Sequence, residues 1–203
     1  GVEMWCVTGV VNYGVAGNIH SVSKAIEAAG GTVKVIGSAS DFDQVDRIVI
    51  PGVGSFKDAM RELASDGFIE TIKDALVAKP VLGICLGMQI LATLGFEYGE
   101  TEGLGVISAE VKSMQVKAPV PHMGFNTLDV VATNPILSGI ESEEFYFMHS
   151  FEMVNYTDVA ALTEYAGHRF VSAIHRGNIY GVQFHPEKSR DAGIQLFRNF
   201  LAL

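Results

Sequence analysis

The chain has 203 residues, 48% hydrophobic and 18% charged, which supplies a continuous core and excludes a disordered chain. With 14 Lys+Arg against 23 Asp+Glu, a formal charge of -9 repels nucleic-acid phosphates and anionic membranes, so neither is expected as a partner. No apolar run approaches the roughly 20 residues that span a bilayer, the opening Gly1-Val2-Glu3-Met4 lacks a basic segment leading into an apolar one, and two cysteines make no disulfide framework; one domain over 1–203, in the reducing cytoplasm, is the expectation.

In chain order, Met4 to Val11 reads as a first strand that buries Cys6 as a small hydrophobe. Ile19, Val22, Ile26 and Ala29 recur at helical spacing, and Gly30-Gly31 stops that helix. Strands follow at Thr32 to Ile36 and Arg47 to Ile50, then a helix pair. Ser55 and Asp58 open the first helix in the manner of a capping box, and Phe68, Ile69, Ile72 and Leu76 mark the apolar face of the second. Pro80 to Ile84 completes the βαβ rhythm of a parallel sheet. After Gly103 the runs shorten and read as strands: Val106 to Met114, Thr127 to Val131, Glu144 to Met148, Ala160 to Tyr165, Phe170 to His175 and Ile179 to Phe184. The turn Arg176-Gly177-Asn178 makes the last two a hairpin, and Ser189 to Leu203 closes the chain as a helix. The pattern predicts an α/β fold, a mixed sheet with partly antiparallel later strands, flanked by helices.

Chemistry concentrates at two places. In Gly83-Ile84-Cys85-Leu86-Gly87 a buried strand turns sharply into a helix, with glycines relieving the crowding so that the thiol projects above the sheet. The helix that starts there is expected to favour thiolate through its N-terminal dipole. In Gly181-Val182-Gln183-Phe184-His185-Pro186-Glu187 a histidine ends an apolar strand, where imidazole can donate to a departing nitrogen and Glu187 can hold the other ring nitrogen. His-Pro-Glu offers two metal ligands but no compact third and fourth, so no metal is expected. His20, His168 and His175 are read as ordinary surface histidines.

Gly83 to Leu91 and Gly181 to Lys188 resemble the nucleophile and His/Glu signatures of class I glutamine amidotransferases, whose fold is flavodoxin-like. Three further stretches, Tyr13 to Val22, Pro51 to Phe56 and Pro121 to Asn126, narrow the resemblance to the glutaminase subunits of imidazole glycerol phosphate synthases, of histidine biosynthesis. The resemblance runs almost end to end. It implies a cofactor-free hydrolysis of L-glutamine to L-glutamate and ammonia with Cys85 as nucleophile, His185 as acid and base and Glu187 as orienter. It also implies a synthase (cyclase) subunit that receives the ammonia in a heterodimer.

Pro51-Gly52-Val53-Gly54 ends a strand with two glycines, so the Val53 N–H, with that of Leu86, can form an oxyanion hole. By the same resemblance, Gly52, Gln89, Glu97, His149, Ser150 and Phe151 are implied as glutamine contacts, and Asn12, His122, Met123, Phe125, Asn126 and Lys188 as the partner face. Two departures touch that face: Asn12 stands where the family commonly has Asp, and Phe125 where Trp is usual. They keep a glutaminase of another ammonia-using synthase, in nucleotide-sugar or surface-polysaccharide assembly, as an alternative. A cysteine peptidase or esterase and a silent flavodoxin-like binding module are the remaining ones.

Overall fold

The computed structural model describes residues 6–14, 18–65 and 67–203. The chain runs β1 (Val7–Val11), α1 (Ile19–Ala28), β2 (Thr32–Ile36), β3 (Arg47–Ile50), α2 (Phe56–Ser65), α3 (Phe68–Ala78), β4 (Val81–Ile84) and α4 (Leu86–Gln89). It continues through β5 (Leu94–Gly95), β6 (Thr101–Glu102), β7 (Glu110–Ser113), β8 (His122–Thr127), β9 (Asp129–Val130), β10 (Glu144–His149), β11 (Phe151–Val154), β12 (Val159–Tyr165), β13 (His168–Arg176), β14 (Ile179–Val182) and α5 (Arg190–Leu201).

The main sheet has the order β2-β1-β3-β4-β14-β13-β12-β9. Its first five strands pair in parallel and the rest antiparallel. This is the mixed sheet expected, with a flavodoxin-like parallel half. Alternation along a strand divides the core: Ile48 and Ile50 of β3 point to one face, where α2 and α3 bring Phe56, Leu63, Phe68 and Ile72, and Val49 points to the other. There α1 and α5 bring Val22, Ile26, Leu196, Phe197 and Phe200. The Ser55 hydroxyl accepts the Asp58 N–H at 3.1 Å, as the capping pattern anticipates. Arg176 pairs with Ile179 across the expected hairpin turn.

Several expectations change. Met4 and Trp5 lie outside the described residues, and Cys6 precedes β1 and is exposed, so it packs in no core. The run from Val106 forms a strand only at Glu110–Ser113, because Val106 and Ile107 give their N–H groups to the Leu91 carbonyl instead. The expected strand Thr127 to Val131 divides between the end of β8 and β9, and β5, β6, β11 and the rest of β8 are further strands. They form two smaller sheets, β11-β7-β5-β6 and β10-β8, beside the main one.

Candidate active site

Cys85 follows the fully buried β4 with φ 53°, an uncommon conformation for a residue with a side chain. The glycines around it are there for space: a Cβ on Gly87 would stand 1.8 Å from the Ile50 carbonyl oxygen, and one on Gly83 2.7 Å from that of Gly87. Parallel pairing of β4 with β14 puts Val182 opposite Ile84, and the Cys85 N–H donates to the Val182 carbonyl at 2.8 Å. The segment that follows β14 is therefore carried to the Cys85 turn, at the carboxyl ends of adjacent strands.

His185 is fixed from several sides. Its N–H donates to the Tyr146 carbonyl at 2.8 Å, and its carbonyl accepts the Ser189 hydroxyl at 2.6 Å. The turn Pro186–Lys188 then folds Glu187 back, so that His185 Nδ1 donates to Glu187 Oε2 at 2.8 Å with both side chains wholly buried. Nε2 is buried beside the Cys85 sulfur, outside normal hydrogen-bond geometry, and the sulfur favours its proton both as an acceptor and through charge. Burial lowers the imidazole's proton affinity, but the Cys85 sulfur and the Glu187 carboxylate more than reverse this, and its pKa is pushed up to about 10. The helix expected to favour the thiolate is a single turn, Leu86–Gln89, whose dipole is small.

A cavity of about 500 Å³ opens on Cys85. Of the expected residues, Val53, Leu86, Gln89, Glu97, His149, Ser150 and Phe151 line it; Asp58, Tyr98, Pro121 and Met148 line it too. Among the described residues no group accepts the N–H of Val53 or of Leu86. Gly52 lies behind the wall, where a Cβ would meet the Tyr13 hydroxyl at 2.2 Å; that hydroxyl donates to the Pro51 carbonyl. Glu97 Oε2 accepts the Phe56 N–H at 3.4 Å. Its pKa is raised, chiefly by burial, with the Phe56 amide opposing and the charge of Asp58 adding to it.

Of the residues expected at a partner face, His122, Met123, Phe125 and Asn126 lie on β8, Lys188 in the turn after His185, and Asn12 at the end of β1. Met123 is 58% and Phe125 36% exposed, so both are open to contact, and Asn12 and Lys188 are exposed. His122 instead turns inward and stacks between Phe147 and Tyr165, and Asn126 donates to the Glu164 carbonyl at 2.8 Å. Val15, Ala16 and Gly17 of the Tyr13 to Val22 motif lie outside the described residues. Because β8 pairs with β10, Met123 stands opposite Met148 and His122 opposite His149, which joins this strand directly to the cavity wall.

Two buried residues were passed over: Tyr13, and Gln183, whose amide nitrogen is 3.5 Å from the Cys85 sulfur. The signal for Gln183 was present as a carboxamide between Val182 and Phe184 in an apolar run, since a buried amide must find partners. Among the described residues no group of three or more His, Cys, Asp or Glu side chains is placed to hold a metal ion, and no helix is long and apolar enough to cross a membrane.

Residues 10–203 match the family model described as glutamine amidotransferase class-I. The chain is 40% identical to the imidazole glycerol phosphate synthase subunit HisH 1 of Campylobacter jejuni (strain RM1221) over 193 residues, 93% of this chain and 96% of that protein. It is 43% identical to the protein of the same name from Vibrio vulnificus (strain YJ016) over 201 residues, 96% and 97% of the two chains. Among solved structures, PurLQS from Thermotoga maritima superposes with a TM-score of 0.73 at 21% identity, covering 97% of this chain and 98% of that one, a likeness of fold.

Proposed function

The chain belongs to the class-I glutamine amidotransferase family and, within it, to the HisH subunits of imidazole glycerol phosphate synthase, and from that premise we propose how its residues divide the glutaminase reaction. The Cys85 thiolate attacks the side-chain amide carbon of glutamine, and the N–H groups of Val53 and Leu86 receive the developing oxyanion. His185 Nε2 gives its proton to the departing nitrogen, which leaves as ammonia, and a γ-glutamyl thioester remains on Cys85. The same nitrogen then takes a proton from water, whose oxygen attacks the thioester and releases glutamate and the thiol. Glu187 keeps the imidazole oriented throughout. Gln89, Glu97, His149, Ser150 and Phe151 hold glutamine in the cavity, and the backbone at Gly52 shapes the oxyanion turn.

The observation that carries this reading is the buried Nδ1 to Oε2 bond behind an unpartnered Nε2 beside Cys85. Positions 1–203 act as one glutaminase domain in the cytoplasm, need no cofactor and hand ammonia to a cyclase subunit in a heterodimer, through a face that includes Asn12, His122, Met123, Phe125, Asn126 and Lys188. Replacing Cys85 with Ala should lower glutamine hydrolysis by at least about a thousandfold with the fold unchanged, since members of such a triad act as a unit. Cys6→Ala should change it little; substantial turnover in the first variant would sink the assignment. Affinity capture checks the partner: recovery of a cyclase fits histidine biosynthesis, and another ammonia-using synthase would redirect the pathway.

A further inference from the structure

Gln183 is fully buried just beyond β14 and does not line the cavity. Its Nε2 lies 3.5 Å from Cys85 Sγ, and its Oε1 is 3.0 Å from Gln89 Nε2. Carboxamide oxygen and nitrogen exchange places on a half-turn, so the orientation has to follow from the network. The Phe151 carbonyl settles it, because a carbonyl only accepts. It receives Gln89 Nε2 at 3.3 Å and His149 Nδ1 at 2.9 Å. The other hydrogen of the Gln89 amide then reaches Gln183 Oε1, which leaves the Gln183 nitrogen facing the sulfur. Turning Gln183 over would oppose two NH2 groups and set an oxygen against an electron-rich sulfur.

We propose that Gln183 is a positioning residue for the reaction: its N–H, locked by Gln89 and the Phe151 carbonyl, donates to Cys85 Sγ and favours the thiolate. Among the described residues, His185, the Tyr13 phenol and the Met148 carbonyl also act on this sulfur. The phenol proton is committed to the Pro51 carbonyl, and the Met148 carbonyl, 3.9 Å away, accepts from a thiol and offers nothing to a thiolate. His185 supplies charge. Among the described residues Gln183 is thus the uncharged donor to the sulfur, and its bond weakens once the sulfur is acylated and poorer in electrons.

The inference rests on Cys85 being the nucleophile, and its test separates the two. In the full chain carrying Cys6→Ala, so that Cys85 is the reacting thiol, iodoacetamide alkylation is followed against pH for the parent, Gln183→Met and Gln183→Glu. A lost hydrogen bond to a charged group corresponds to a midpoint higher by about one pH unit, roughly tenfold less thiolate below it. In Gln183→Met, turnover at pH 7 should fall about tenfold and recover towards alkaline pH, with KM within about twofold because Gln183 does not line the cavity. Gln183→Glu keeps the shape and reads the same midpoint if the Met variant fails to fold; a carboxylate there should raise it further. A midpoint equal to the parent's in a folded variant overturns the role of Gln183 while leaving Cys85 as nucleophile. Glutaminase activity surviving Cys85→Ala overturns the reading beneath it.

Discussion

His149, buried beside the cavity, has an imidazole held neutral. Burial drives its pKa down to about 4, the Phe151 carbonyl partly opposes this, and the charges of His122 and His185 push the same way as burial. In the unfolded chain the ring protonates near 6.5, so between that value and about 4 the unfolded state binds more protons. Stability should therefore fall as pH drops through this window, by on the order of 3 kcal/mol from this group. Urea melts at pH 7 and pH 4 measure it. His149→Asn, whose amide can still donate to the Phe151 carbonyl, should flatten the slope, and an unchanged slope would assign the acid sensitivity elsewhere. Cys85, His185 and Glu187 were legible in the sequence because each sits in a short motif whose local geometry implies its chemistry. Gln183 was not, because its orientation is decided by the carbonyl of Phe151, which only the tertiary fold brings near.

At the scale of elements, the first half could be read because β1 to β4 are apolar runs separated by strongly periodic helices. Strand β8 escaped because its buried face carries His122, half-buried Gly124 and Asn126 while Met123 and Phe125 lie outside, the reverse of a core pattern. Helix α4 is short for a physical reason: Leu91 and Ala92 donate only three residues back, to Met88 and Gln89, and the carbonyls of Ile90, Leu91 and Ala92 receive the N–H groups of Leu104, Val106, Ile107 and Gly105 in place of a following helical turn. The junction of β4 and α4 is correspondingly unforgiving. Gly87→Ala places a methyl against the Ile50 carbonyl, backbone that cannot swing aside. It should lose at least about 1–3 kcal/mol of stability and most of the turnover, as read by thermal melting and a glutaminase assay. A normal melting temperature with normal turnover would show that the elbow has slack.

For the whole molecule, what matters is how an outer face reaches the sulfur. Phe125 lies under the Arg190 guanidinium at 4.4 Å and edge-on to Tyr146 at 5.5 Å, and Tyr146 is bridged to His185 through its carbonyl. Lys188, exposed one residue after Glu187, offers a second route. The isolated chain should hydrolyse glutamine slowly and speed up when the synthase and its acceptor bind, since uncoupled ammonia is lost by diffusion. Lys188→Ala should reduce the stimulation more than the basal rate. Steady-state rates with and without the partner decide this, and equal rates throughout would remove the coupling. The pairing of β4 with β14 has a different consequence, in time. Cys85 and Gln183 are 98 positions apart in the chain, yet their strands are neighbours. Closing so long a loop costs entropy before any contact rewards it, so this seam is among the late ones to form. On dilution from urea, helical circular dichroism should return first and catalytic competence last. Synchronous recovery of the two signals would mean that the seam forms as early as the helices.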